Sequence, residues 1–445
     1  MLKPSRRAPE LDRLVSAAAA AGRTALRTSA IPVGIGLVGV YAYGTAKYRR
    51  NAKTTYDFGD LPAPGGKGFN RLLTTVSGAT VSSGNRMKVL RNGGGTFPAM
   101  LAAIASASAT VDLSSYIYWP GEVATAFTDA LAERARAGVE VNVVLDGWGS
   151  AKLDRSTVRT LEEAGATVAF FRPPKWHTLH KLNNRMHRRL LIVDGYLAFA
   201  GGVGIADVWS GDAEDPDHWR ETHLAIEGPA VLDLVGGFSE NWLEATKAVL
   251  SADHYPKPKR FDDGIEVQVM RSSPKAGGTV ALHLFNAAIA GSRERLWLTT
   301  AFLAPGDAFV RLLADAAHRG VDVRLLVNGP NIDKEVVRRV GQRCYGPLLK
   351  AGVRIFEFQP TMLHAKVLIA DGWANVGSSN LDHRSLGLDD EINVAVRDTK
   401  VVDELAQDFL DDLERSKEFR LARWKARPMS RRLAESAGDL LRQSL

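Results

Sequence analysis

Met186-His187-Arg188-Arg189-Leu190-Leu191-Ile192-Val193-Asp194-Gly195 and Met362-Leu363-His364-Ala365-Lys366-Val367-Leu368-Ile369-Ala370-Asp371-Gly372 are two versions of one phrase. In each, a histidine is followed two residues later by a cation, then by four apolar residues, an aspartate and a glycine. A short apolar run closed by Asp-Gly reads as a strand buried on both faces and ended by a turn. Side chains of an extended strand alternate between faces, so each histidine points the same way as its cation. A glycine turn follows each phrase, Ala200-Gly201-Gly202 in one and Val376-Gly377-Ser378-Ser379-Asn380 in the other.

The surrounding chain repeats as well. Ala130 to Asp146 reads against Leu313 to Asn328, each an amphipathic helix, a glycine stop and a Val/Leu-rich strand. Leu161 to Phe171 echoes Leu349 to Phe358. Helix and strand alternate in both copies, which predicts an α/β fold with strands covered on both faces. The expected organisation is two similar α/β/α halves, residues 69–256 and 262–415, related by a pseudo-twofold axis that brings equivalent strand ends together.

The chemistry of such a pair is specific. Imidazole is the side chain able to attack phosphorus or move a proton near neutrality, and a neighbouring cation binds non-bridging phosphate oxygens as charge redistributes. The candidate catalytic set is therefore His187, Arg189 and Asp194 with His364, Lys366 and Asp371. Asp371, beyond an apolar run, reads as an orienting or structural carboxylate rather than a base. Ser379 and Asn380 are candidates to donate hydrogen bonds to phosphate. Glu221 and Glu391 each follow a histidine by about thirty residues and are candidates to bond the far imidazole nitrogen and fix its tautomer. The bland alternative, satisfied core histidines of a duplicated scaffold, is disfavoured because the same spacing occurs twice in matching places.

The paired His-x-Lys-x4-Asp motifs resemble the phospholipase D superfamily, and within it the bacterial cardiolipin synthases. Tyr116-Ile-Tyr-Trp119, Trp219-Arg-Glu-Thr-His223, Gln359-Pro-Thr-Met-Leu-His364-Ala-Lys366 and Gly377-Ser-Ser-Asn-Leu-Asp-His-Arg-Ser385 carry the likeness beyond the motifs. The resemblance implies two phospholipase D-like halves and a metal-free, cofactor-free ping-pong phosphatidyl transfer between phospholipids. One histidine attacks the phosphodiester to form a phosphohistidine; the other protonates the leaving alcohol and deprotonates the incoming one. By analogy His187 is the nucleophile and His364 the acid–base. Two positions depart from the pattern, both in the first half: Arg189 replaces the usual lysine, and Gly204 stands where relatives often carry an asparagine.

Composition bounds the remainder. With 445 residues, 45% hydrophobic and 24% charged, the chain is globular and large enough for two to three domains. Its single cysteine, Cys344, excludes an internal disulfide and a cysteine-based zinc site. The net charge is +7, but residues 1–60 carry +6 and residues 415–445 another +6, so the body between holds −5. Basic ends beside apolar residues fit an anionic membrane surface better than nucleic acid, which is expected to be gripped by charge around the site. The uncharged run Ser29–Ala46, flanked by arginines and lysines, predicts a membrane segment within an attachment region of residues 1–60. Residues 416–445 read as a basic amphipathic helix suited to an interface. The expected partners are phospholipids and a bacterial-type cell membrane, with a water-using phospholipase D as the nearest alternative and a nuclease of the same superfamily further off.

Overall fold

The computed structural model describes residues 58–174, 184–274 and 279–426. The apolar run 29–46, most of the attachment region 1–60, and most of the C-terminal basic segment lie outside the described residues. Among those described, no helix is long and apolar enough to cross a membrane.

Val/Ile/Leu-rich runs form the strands because branched side chains pack well on a pleated surface. In chain order the first half contributes β1 (Val81–Arg91), β2 (Thr110–Ser115), β3 (Glu140–Asp146), β4 (Thr167–Phe171), β5 (Leu190–Val193), β6 (Leu197–Gly201) and β7 (Thr222–Glu227). The second adds β8 (Ile265–Ser272), β9 (Arg295–Thr299), β10 (Leu303–Ala304), β11 (Asp322–Asn328), β12 (Arg354–Phe358), β13 (Val367–Ala370), β14 (Trp373–Gly377), β15 (Leu381–Asp382), β16 (Glu391–Val396) and β17 (Ser416–Glu418). All but β10 and β15 join one sheet of fifteen strands in the order β17-β12-β11-β9-β13-β14-β16-β8-β1-β7-β6-β5-β2-β3-β4. Read outward from the antiparallel β1–β8 pair, both directions give the same sequence of equivalent strands, with β17 added beyond β12 in the second half. Within this sheet pairing is parallel only in the triplets β2-β3-β4 and β9-β11-β12; the motif strands β5 and β13 form antiparallel hairpins with β6 and β14.

Helices cover both faces. On one face, helices Ala230–Thr246 and Thr399–Glu414 share a core with strands of both halves. Val401, Leu405 and Phe409 recur every four residues on the second of these and are buried, each contributing about 1.5–3 kcal/mol by burial. That helix starts where the Asp398 carboxylate accepts the Val401 N–H at 3.1 Å. On the other face lie two separate cores, one mainly of the first half with helices Asn92–Ala105 and Glu122–Arg136, the other mainly of the second with Val280–Gly291 and Asp307–His318, which Phe69 and Leu73 also join.

The start of the C-terminal segment departs from the helix expected over 416–445. Ser416–Glu418 is an edge strand against β12, with Arg354 Nε donating to Glu418 at 2.9 Å, and of the described residues 416–426 the helical ones are Leu421–Lys425. The Trp424 indole there packs on the protein's own second-half core rather than outward. Edge pairing satisfies backbone groups that a helical pattern in the sequence cannot foresee.

Candidate active site

The segment leading into each motif strand pairs with the other half, the first just before β16 and the second just before β7. His187 N–H donates to the Asp390 carbonyl at 2.9 Å, and Asp390 N–H returns a bond to Arg185 O at 2.8 Å. The second motif repeats this: His364 N–H donates to Arg220 O at 2.8 Å, and Arg220 N–H to Met362 O at 2.9 Å. These short parallel bridges place the next residue of each strand, Glu391 or Glu221, under the opposite half's imidazole. His187 Nδ1 lies 2.9 Å from Glu391 Oε1, and His364 Nδ1 lies 2.5 Å from Glu221 Oε2. A carboxylate accepts, so Nδ1 carries the proton and Nε2 is left to act. Histidine and carboxylate that neighbour each other in the sequence are thus not partners; the braces cross.

Both histidines line a cavity of about 420 Å³, together with Tyr116, Arg189, Asn380 and Arg384 among others. Arg189 donates through Nη2 to His187 Nε2 at 3.1 Å and through Nη1 to the His187 carbonyl at 2.9 Å. Lys366 lies under His364, its Nζ 3.1 Å from the ring Nε2. Strand alternation sends Arg188 the other way, where it is wholly buried and donates to Gly237 O, Glu391 O and Ser272 O, tying the first motif to the second half. Tyr116 meets His187 edge-on at 5.1 Å between ring centres, while Trp209 and Trp219 stand 5.2 and 5.6 Å from His364.

Burial sets the electrostatics. It depresses both imidazoles far below their ordinary value, with Arg189 and Lys366 adding to the effect at His187 and Lys366 at His364. Burial likewise lowers Lys366 to about 7. The two carboxylates differ. Burial lifts Glu391 to about 7; at Glu221 burial also pushes upward, but the Lys366 and His364 charges together with hydrogen bonds from His364 and the Thr222 N–H outweigh it and hold it at about 2.

Six of the ten sequence candidates, His187, Arg189, Glu221, His364, Lys366 and Glu391, form the connected centre, and Asn380 lines the cavity. Asp194 and Asp371 do not belong to it. At φ +51°, each follows the far end of its motif strand and accepts three backbone N–H bonds, Asp194 from Ser108, Ala109 and Thr110 and Asp371 from Arg293, Glu294 and Arg295. They fasten the loops leading into β2 and β9. Seven residues, roughly 23 Å of extended chain, separate each aspartate from its histidine. Ser379 also points elsewhere, accepting from Asn393 at 2.8 Å; its neighbour Ser378, which sequence reasoning passed over, donates to Glu391. The equivalent of Ser378 is Gly202, where a Cβ would come within 2.4 Å of Glu221 Oε2. Tyr116, Trp209, Trp219, Arg384 and Asp389 were likewise not picked out as site residues, although Tyr116-Ile-Tyr-Trp and Trp219-Arg-Glu carried the family likeness.

A duplicated sheet whose two histidines share one cavity, each beside a buried cation, defines an enzyme of phospholipase D-type phosphodiester transfer. Residues 100–231 and 285–413 match the cardiolipin synthase PLD-like domain. Cardiolipin synthase 2 of Bacillus anthracis is 34% identical over 375 residues, covering 83% of this chain and 73% of the relative. The cardiolipin synthase of Alkalihalophilus pseudofirmus is 33% identical over 378 residues, 83% of this chain and 74% of its own. The chain belongs to the cardiolipin synthase family. The phosphatidylserine synthase structure from Haemophilus influenzae superposes with a TM-score of 0.62 at 13% identity, covering 81% of this chain and 95% of that one, and shares the fold.

Proposed function

We propose that the protein transfers a phosphatidyl group from one phospholipid to the headgroup hydroxyl of another, forming cardiolipin from phosphatidylglycerol. The observation that carries this reading is the pair of crossed His–carboxylate braces around one cavity, each beside a buried cation. His187 Nε2 attacks phosphorus, forming a P–N bond as the P–O bond to the glycerol headgroup breaks. For this step His364 acts in its cationic form, Nδ1–H held by Glu221 and a second proton on Nε2, and gives the Nε2 proton to that leaving oxygen. In the second step His364 takes the proton of the incoming lipid hydroxyl, an O–P bond forms, the P–N bond breaks and His187 is restored. Arg189 and Lys366 hold the non-bridging oxygens. The unequal carboxylates favour this division: Glu221 stays anionic and supports a cationic His364, while Glu391 at about 7 favours a neutral, nucleophilic His187.

The enzyme works at the cell membrane on its phospholipid substrates, held by residues 1–60, by the basic C-terminal segment, or by both. Purified enzyme incubated with labelled phosphatidylglycerol vesicles should make cardiolipin and free glycerol. Phosphatidic acid as the sole lipid product would instead assign a hydrolase. Removing residues 1–50 should shift the protein toward the soluble fraction; full retention on membranes would move attachment to the C-terminal segment.

A further inference from the structure

The missing asparagine of the first half has a physical replacement. A Cβ built on Gly204 would lie 2.8 Å from Trp209 Cζ3, 2.9 Å from Cη2 and 3.2 Å from Ile117 Cβ. The benzo ring of Trp209 thus occupies the space where an asparagine side chain would begin. Nothing larger than glycine fits at 204 while that ring is in place. Trp209 is wholly buried, its indole N–H has no acceptor, and it stands edge-on to His364 at 82°. Trp219 closes the same side, 4.7 Å from Trp209, and is fixed there by its backbone N–H bond to Val208 O at 2.7 Å. The other half keeps its amide: Asn380 lines the cavity and is 3% exposed. The pocket is therefore lined by an amide from one half and, beside His364, by the Trp219 indole from the other, with Trp209 filling the space directly behind, against both Trp219 and His364.

An amide offers a water molecule both a donor and an acceptor, whereas the edge of an indole benzo ring offers neither. Water positioned beside the acid–base histidine is the competitor of the lipid hydroxyl for the phosphohistidine. Attack by water breaks the same P–N bond, forms an O–P bond and gives the same proton to His364, but releases phosphatidic acid. We infer that Trp209, admitted by the glycine at 204, is a positioning residue that keeps the His364 side of the pocket dry and so biases turnover toward transfer rather than hydrolysis. This rests on the transfer reading above.

The full chain in phosphatidylglycerol vesicles tests it, with cardiolipin and phosphatidic acid quantified together. Trp209→Phe removes the outer ring but keeps an apolar side chain, and should raise the phosphatidic acid to cardiolipin ratio about tenfold, the effect of one added water contact on competing barriers. Gly204→Asn alone should lose nearly all turnover, because the amide must displace the indole against His364. Gly204→Asn/Trp209→Phe should regain turnover relative to Gly204→Asn, with a product ratio shifted further toward phosphatidic acid. Circular dichroism and melting curves check that each variant is folded. An unchanged product ratio in Trp209→Phe, or Gly204→Asn with wild-type turnover, overturns the assignment. A wild-type enzyme that makes only phosphatidic acid would sink the transfer reading itself, whereas unchanged ratios in a wild-type background that transfers remove only the role of Trp209.

Discussion

Lys366→Arg separates a titrating cation from a permanent one at the heart of the site. Burial brings Lys366 from 10.5 to about 7, with the Arg189 charge assisting and the Glu221 and Glu391 charges opposing. Only the protonated amine can hold phosphate oxygens, so kcat/KM should fall about tenfold per pH unit above 7. At pH 9 about 1% of the lysine would carry its proton. The guanidinium never titrates in this range, and the first half already uses Arg189 at the matching place. Normalised to each enzyme's value at pH 6, the variant should therefore exceed wild type about a hundredfold at pH 9. The assay is kcat/KM on a short-chain, monomeric phosphatidylglycerol, which reports the free enzyme and avoids the surface pH of vesicles. A wild-type profile flat to pH 9 would refute the reasoning. So would an alkaline limb that survives in the variant, since it would pass the titration to another group such as Glu391. Folding carries the same signature: between about 7 and 10.5 the unfolded lysine binds more protons than the folded one, so stability contributed here rises with pH over that window. Melting temperatures across it should climb in wild type relative to Lys366→Arg.

Three further outcomes follow from the geometry. His187→Ala and His364→Ala should each abolish transfer, and a single variant that still turns over would show that the halves act independently. Asp194→Ala removes an acceptor shared by three backbone N–H groups and should cost about 2–3 kcal/mol of stability, read from denaturant midpoints, while kcat stays within a few-fold of wild type; a collapse of kcat in a folded variant would restore the aspartate to the chemistry. Arg189→Lys should retain substantial activity because the charge is kept, and complete loss would show that the bidentate grip on His187 is required.

Much of this arrangement was legible because it is periodic. The His-x-cation spacing, the apolar tetrads that became β5 and β13 and the duplicated helix–Gly–strand units are local signals, and local signals survive in a linear string. What was not legible depends on tertiary crossing. No spacing says that Glu221 serves His364 rather than His187, since the two-residue ladders that exchange them form only when the halves meet. The aspartates were grouped with the catalytic set because they share a motif with the histidines; a strand of four residues carries them to the opposite end, where three backbone N–H bonds fit the orienting or structural role read for Asp371. Ser378 and Ser379 were separable only by which face each takes after Gly377. The site thus follows from sequence in composition but from packing in connectivity.

The crossed braces make this chain a dimer written as one polypeptide, with a single centre assembled from both copies. In a true symmetric dimer every substitution is made twice, so a glycine in place of an asparagine would remove both amides, and an arginine in place of a lysine would alter both cations. Covalent tethering lifts that constraint. Here the lysine and the amide survive on one side while Arg189 and Gly204 occupy the other, and the two ends of one reaction coordinate, once interchangeable, are free to specialise.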